Sequence, residues 1–240
     1  MIKLNKKYVK NKYNRDGFII IKKILSKSQA KLIKKELLDT IKNSKSKFRK
    51  RYINFTKNNS INSMHGLDNF DCVKKLQQNS RVKDIIKTLI GLRYDKFGSE
   101  LFAKPARYGL SVPIHQDNKY WCLDTGNALT MWFALDESDE HNGGVYYYKG
   151  SHKLGMLEHV PSFAPGSSQK IKYNDGLNVF SKELPKLNIG DCLIHQCMVV
   201  HGSKANKSVK ARTGLTLRFK HSSNFIRKDL KRSYEKELKQ

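Results

Sequence analysis

Residues 190–221 read GDCLIHQCMVVHGSKANKSVKARTGLTLRFKH, and this stretch decides the fold class. Its apolar residues fall into short runs, Asp191–His195, Met198–His201 and Thr213–His221, separated by polar turn residues. Runs of that length and spacing read as strands. In the last of them, alternation places Arg212, Gly214, Thr216 and Arg218 on one face and Thr213, Leu215 and Leu217 on the other. The second face is largely apolar. The first is polar and carries two arginines, so it meets solvent or lines a cavity, and alternation leaves both open.

The same texture extends back through Gly144–Tyr148, Ala128–Leu135 and Leu101–Ala103, with His141-Asn142-Gly143-Gly144 expected as a hairpin turn. Residues 153–187 are a long insertion with Pro161, Pro165 and Pro185, the kind of excursion that covers a site. Upstream the pattern is helical. After a short apolar strand at Gly17–Ile21, Ser26 and Gln29 form a capping box, and Ala30, Ile33, Leu37 and Ile41 recur at helical spacing. A second helix is predicted over Ser80–Ile90 with Gly91 ending it, residues 43–60 read as loop, and the tail 226–240 as helix. Helices followed by many short strands predict an α+β chain whose β part is a jelly roll or barrel. We read 1–240 as one domain: 1–97 mainly helical support, 98–221 the β core with its insertion, 222–240 a charged tail.

The net charge of +26 invites a nucleic-acid reading, so its distribution matters. Residues 1–51 carry a net +15, whereas 112–160 carry −4. Lysines outnumber arginines 37 to 10, the reverse of what forked phosphate recognition favours. A solvated basic periphery is therefore expected, and nucleic acid is not the expected partner. No apolar run reaches the roughly 20 residues of a membrane span. The N-terminal residues lack an apolar segment behind their charges, which reads against a secretory leader. Cys72, Cys122, Cys192 and Cys197 form no C-x-x-C pair, so free thiols and a cytoplasmic setting are expected.

The chemistry lies in the β half. His115-Gln116-Asp117 sets an imidazole and a carboxylate two residues apart, on one face if the chain is extended, so both can reach one metal. A second histidine is needed, and His195 and His201 are both candidates. Two histidines and a carboxylate on one face of an octahedron suit non-haem Fe(II) with open positions. Such a site also needs a cation for the far carboxylate of a dicarboxylate cosubstrate, and Arg212 is well placed.

From His115 to Lys220 the chain resembles the phytanoyl-CoA dioxygenase family of Fe(II)/2-oxoglutarate oxygenases. The motifs are His115/Asp117 followed by Tyr120-Trp121, the strand Thr130–Asp136, then Asn142-Gly143 and Gly150-Ser151-His152-Lys153. Gly190-Asp191, His201-Gly202-Ser203, Asn206 and Arg212 close the set, and Asp16-Gly17-Phe18 extends the likeness to the N-terminal region. Lys149 departs from the family by replacing the proline before Gly-Ser-His.

The resemblance implies a double-stranded β-helix (jelly roll, cupin-like) core with supporting N-terminal helices. It makes His115, Asp117 and His201 the metal ligands and catalytic residues. Arg212 becomes the clamp on the 2-oxoglutarate C5 carboxylate, with Ser203 as helper and Trp132 beside the cosubstrate. Lys104-Pro105 matches a family step to which no role attaches. His195 then reads as a neighbour of the site or core, His152 as structural, and His65, His141, His159 and His221 as surface or loop residues. The implied activity is hydroxylation of a C–H bond of a small-molecule or carrier-linked substrate, anionic if the basic surface selects it, using Fe(II), 2-oxoglutarate and O2 and releasing succinate and CO2. The family's halogenases replace the carboxylate of H-x-D by a small residue, so Asp117 favours hydroxylation. Two other readings stand beside this one. An AlkB-type nucleic-acid dealkylase shares the triad and an R-x-N-x-T-x-R strand, in which Gly214 would replace the Asn. A non-catalytic jelly-roll binding module would need neither iron nor cosubstrate.

Overall fold

The computed structural model describes residues 4–43, 51–164 and 167–238. The core is two antiparallel sheets. The larger has seven strands in the order β1 (Phe18–Ile21), β11 (Cys192–Gln196), β6 (Ala128–Ala134), β13 (Arg212–His221), β4 (Tyr94–Lys104), β3 (Ile61–His65) and β2 (Ile53–Phe55). The smaller has four, β10 (Lys182–Glu183), β7 (Val145–Tyr148), β12 (His201–Ser203) and β5 (Val112–His115). A separate hairpin, β8 (His159–Ala164) and β9 (Ser167–Ile171), lies within the insertion and contacts β5. This is the expected jelly roll with helical support.

Period-two alternation sorts every central strand of the large sheet into two environments. Leu129, Met131 and Phe133 of β6, Leu215, Leu217 and Phe219 of β13, and Cys192 and Ile194 of β11 form one core with the helices. The helical layer is α1 (Lys6–Asp16), α2 (Lys27–Asn43), α3 (Asp71–Gln78) and α4 (Ser80–Ile90). On the opposite face Trp132, Ala134 and Leu193 meet Tyr147 of the small sheet. The polar face of β13 therefore points between the sheets and lines a cavity, not solvent.

Several local expectations are met. Ser26 Oγ accepts from the Gln29 amide at 3.1 Å, and Gln29 Oε1 accepts from the Ser26 amide at 2.8 Å, closing the capping box. Ala30, Ile33, Leu37 and Ile41 are the buried stripe of α2. All four cysteines are buried and free. No helix among the described residues is long and apolar enough to cross a membrane.

Other elements differ from the sequence reading. The turn at 141–144 joins β6 to β7, which lie in different sheets, so it is a crossover and not a hairpin. The run at 198–201 is extended only from His201, because Val199 donates to the Gln196 carbonyl in a turn. Part of the expected loop 43–60 is strand, since Ile53–Phe55 pairs with β3, while 44–50 lie outside the described residues. The N-terminal third thus supplies three strands of the large sheet as well as helices. Two helices, α1 and α3, were not anticipated. Only Val9 and Tyr13 mark the apolar side of α1 in a lysine-rich stretch.

The end of α1 ties the N-terminal elements to the β core. Gly17 adopts φ +81° and its amide bonds to the Tyr13 carbonyl, a left-handed helix stop. A Cβ there would stand 2.6 Å from His152 Nδ1, so the Gly-Ser-His turn packs directly on the cap. Asp16 is buried, accepts from Arg15 and Lys12, and its carbonyl accepts from the Gly150 amide. Burial works against its charge, but the hydrogen bonds from Arg15 and Lys12 prevail and hold its carboxyl down to about 2. A depressed carboxyl contributes stability that is full above its unfolded value, near 3.9, and is lost as pH falls through the folded one. Urea unfolding of the wild type should therefore weaken between about pH 4 and pH 2 by more than that of Asp16→Asn. Parallel pH profiles for the two proteins would remove Asp16 from the acid-sensitive set.

Candidate metal centre

His115 ends β5 and His201 begins β12, and the antiparallel register sets the two residues directly opposite each other. Their ring centroids are 4.3 Å apart. Asp117 Oδ1 lies 3.6 Å from the Nε2 atom of each. One donor atom from each of the three falls within 4.8 Å of the others, the only such cluster of His, Cys, Asp or Glu among the described residues. The H-x-D pair meets by a route different from strand alternation. Asp117 has left the strand, with φ −56° and ψ −34°, and its carbonyl accepts from the Tyr120 and Trp121 amides to start α5 (Asn118–Trp121). The turn, not the pleat, brings its carboxylate beside His115.

Each histidine is prepared for a metal. His115 Nδ1 lies 2.8 Å from the Pro113 carbonyl and His201 Nδ1 lies 3.0 Å from that of Val199. A carbonyl can only accept, so each Nδ1 carries the proton and each Nε2 lone pair faces the cluster. Burial, reinforced by His115, pushes His201 down to about 3 and keeps it neutral. Burial alone would raise Asp117, but the surrounding histidines hold it well below the usual carboxylate range. This donor set, two imidazoles presenting Nε2 and one carboxylate on one side, fits a divalent transition metal with open positions.

The second carboxylate oxygen is also fixed. Asp117 Oδ2 accepts from Thr130 Oγ1 at 2.8 Å and lies 3.0 Å from His195 Nε2. His195 Nδ1 in turn lies 3.1 Å from the Tyr147 hydroxyl. With Nε2–H donating to the carboxylate, Nδ1 accepts from Tyr147, which defines the His195 tautomer from its network. His195 therefore lies outside the cluster of three and holds its carboxylate. Sequence reasoning missed Thr130 and Tyr147. The one available signal was a threonine in an otherwise apolar run. His159, expected at the surface, is buried, and its Nε2 accepts from the Gln116 amide at 3.1 Å. His152 is structural as expected, at 3.1 Å from the Asn14 carbonyl.

A cavity of about 230 Å³ opens on the cluster. Arg212, Lys104, Ser203 and Trp132 line part of it. Arg212 is only 3% exposed, its guanidinium carbon lies 5.2 Å from the Trp132 ring centroid, and its Nε is buried without a hydrogen-bond partner. Burial lowers Arg212 to about 10, which leaves it charged at neutral pH. Lys104 sits opposite it in register, and burial together with the Arg212 charge brings the lysine down to about 6. Its ammonium group donates to the carbonyls of Leu110 and, at 2.6 Å, Lys204. A buried guanidinium with an unused donor and no internal carboxylate fits an anion brought from outside.

The family described as phytanoyl-CoA dioxygenase (PhyH) matches residues 13–214. Among curated relatives, a probable alpha-ketoglutarate-dependent hypophosphite dioxygenase of Stutzerimonas stutzeri is 26% identical over 152 residues, 62% of this chain and about half (52%) of that protein. An ectoine dioxygenase of Sphingopyxis alaskensis is 22% identical over 90% of this chain and 76% of its own. Among solved structures, apo EctD from S. alaskensis superposes with a TM-score of 0.79 at 21% identity, covering 95% of this chain and 80% of that one. The epimerase SnoN, crystallised with Fe3+, alpha ketoglutarate and nogalamycin RO, gives 0.76 at 17%, covering 92% and 86%. At these identities the structural likeness shows the fold.

Gly214 is the residue on which the Arg212 end of the cavity rests. A Cβ at this position would fall 2.0–2.5 Å from three atoms of the Trp132 indole. Gly214→Ala should force that ring off Arg212, cost about 1–3 kcal/mol in chemical unfolding, and shift the tryptophan emission. An unchanged spectrum with unchanged stability would show that the indole does not lie on Gly214.

Proposed function

The chain belongs to the phytanoyl-CoA dioxygenase family, and on that premise we propose that it is an Fe(II)- and 2-oxoglutarate-dependent dioxygenase that hydroxylates a C–H bond of a small-molecule or carrier-linked substrate. The observation that carries this reading is the meeting, in one cavity, of the His115–Asp117–His201 cluster with the buried guanidinium of Arg212 and its unused Nε donor.

In this reading His115 and His201 bind iron through Nε2 and Asp117 through Oδ1. Iron, the cosubstrate and O2 together supply the oxidising power, with one oxygen atom entering succinate as CO2 leaves and the other entering the substrate. The protein contributes ligation, orientation and exclusion of water. Thr130 and His195 hold Asp117 Oδ2, so the carboxylate presents its other oxygen to the metal without a search for its orientation. Arg212 takes the C5 carboxylate of 2-oxoglutarate, and burial strengthens that pair by excluding competing water. Lys104 lies beside Arg212 with its amino group held by two backbone carbonyls, and burial together with the Arg212 charge lowers it. Ser203 supplies a hydroxyl close by, and Trp132 supports the plane of the Arg212 guanidinium.

Asp117→Ala should lose most Fe(II) binding and at least about 100-fold in succinate release, because a charged ligand and its orienting contacts go together. Equilibrium dialysis of Fe(II) under anaerobic conditions reads the first effect and a succinate assay the second. Arg212→Gln should instead retain Fe(II) and raise the KM for 2-oxoglutarate by about 10- to 100-fold. A wild-type protein that binds neither Fe(II) nor 2-oxoglutarate stoichiometrically would be a binding module and not an enzyme of this class.

A further inference from the structure

The second arginine on the inner face of β13 is unused by this chemistry. Arg218 lies six residues from Arg212, about 20 Å along an extended strand, and lines the same cavity. Its guanidinium lies against Trp121 and Phe97, with its carbon 5.6 Å and 5.9 Å from their ring centroids. Space for it is built in: Gly98 has φ +129°, and a Cβ there would come within 2.5 Å of Arg218 Nη2. Among the described residues its one ion contact is from Nη2 to Glu100 Oε1 at 3.2 Å, and its buried Nε has no hydrogen-bond partner there. Glu100 Oε1 is also 2.7 Å from His65 Nδ1, so both contacts fall on a single carboxylate oxygen. Burial would raise the Glu100 carboxyl, but Arg218 and His65 outweigh it and keep the group ionised.

This cluster borders the metal centre. Thr130, whose hydroxyl holds Asp117, is the cross-strand neighbour of Arg218, and Glu100 is opposite Thr216. At this end of the cavity Arg218 and Glu100 stand side by side, a cation and an anion that offset each other. A divalent ion and the dianion of 2-oxoglutarate also cancel. A substrate with net negative charge would approach a pair already in balance, whereas one carrying both signs meets a cationic and an anionic group side by side. Arg218 offers unused donors in a planar fork that suits a carboxylate. Glu100, with the aromatic faces of Tyr120 and Phe102 also lining the cavity, suits a positively charged nitrogen. The volume of about 230 Å³ is shared with the cosubstrate, and the room left beside Arg218 and Glu100 suits a small molecule.

We propose that the substrate is a small zwitterion of the α-amino-acid type, its carboxylate paired with Arg218 and its ammonium directed toward Glu100. The proposal rests on the dioxygenase reading of the same site and replaces the expectation of an anionic or carrier-linked substrate.

Anaerobic calorimetry on the Fe(II)- and 2-oxoglutarate-loaded protein tests it, with the twenty L-amino acids as probes. Each amino acid that binds is compared with its amide and its decarboxylated amine, and glutarate and palmitoyl-CoA serve as anionic comparators. At least one amino acid should bind, and its two singly charged analogues should bind about 10- to 100-fold more weakly. Arg218→Gln should reduce the affinity for the amino acid to the same degree, with Arg218→Lys intermediate, while Glu100→Gln should weaken the amino acid and spare its N-acetyl derivative. Circular dichroism of the two Arg218 variants separates lost recognition from lost fold. Binding of none of the twenty, tighter binding of palmitoyl-CoA or glutarate, or equal affinity in Arg218→Gln would each overturn the proposal. Titration of 2-oxoglutarate into the Fe(II) protein, done first, distinguishes the two failures. If it does not bind, the dioxygenase reading falls; if it binds and no amino acid does, only the zwitterion falls.

Discussion

Everything at the site depends on the pleat of one strand. In β13 the side chains of Leu215, Leu217 and Phe219 are buried among the helices, which fixes Arg212, Gly214, Thr216 and Arg218 on the inner face. A slip of one residue would drive two arginines into the apolar core and expose the leucines, so the hydrophobic burial itself enforces the placement of both charges. The neighbouring strands obey the same constraint. Thr130 and Trp132 of β6 and His195 of β11 face inward because Met131, Phe133 and Ile194 face outward. The helical layer is thus more than support, since its apolar contacts set the register that aims the polar residues.

Two buried cations next to each other are costly, and the cavity resolves this in two ways. Lys104 and Arg212 are opposite each other in register, and burial with the Arg212 charge lowers the lysine to about 6 while two backbone carbonyls hold its amino group. Arg218 instead pairs with Glu100 and lies over two aromatic rings. The positive balance of the whole chain is separate from this arrangement. More than half of it, +15 of +26, lies in residues 1–51, where Lys27, Lys31 and Lys35 of α2 are exposed, while Arg218 in the cavity is offset by Glu100.

Where a residue's role follows from local periodicity or a cap, it was legible in the sequence. Ser26 with Gln29, the stripe from Ala30 to Ile41, and the alternation in β13 belong to this class, and they were enough for the architecture. His115, Asp117 and His201 were named on motif resemblance, and the fold brings them together. Roles that depend on which strands become neighbours were not legible. Nothing near Tyr147 announces that it meets His195, because the contact crosses from the small sheet to the large one and joins residues 48 positions apart. Asp117 was named for the right cluster with the wrong local geometry, since H-x-D is equally compatible with a strand and with a strand that breaks into a helical turn. The 141–144 turn had hairpin chemistry, but the inner and outer faces of β6 and β7 decide that these strands belong to different sheets. His159 is buried because the β8–β9 hairpin folds back on β5, a contact that its own neighbourhood does not announce.

The pairing of β1 with β11 has a consequence for how the chain is made. Phe18 is registered with His195 and Ile21 with Cys192, so β1 waits for a partner that emerges some 170 residues later in the chain. Without that partner β1 has no strand to pair with in the large sheet, where β11 joins it to β6. Of the C-terminal strands, β11 and β13 complete the large sheet and bring His195 and both inward arginines, while β12 belongs to the small sheet and brings His201. A nascent chain stopped before residue 192 carries two of the three ligands and neither arginine, and it has no partial version of the site to offer.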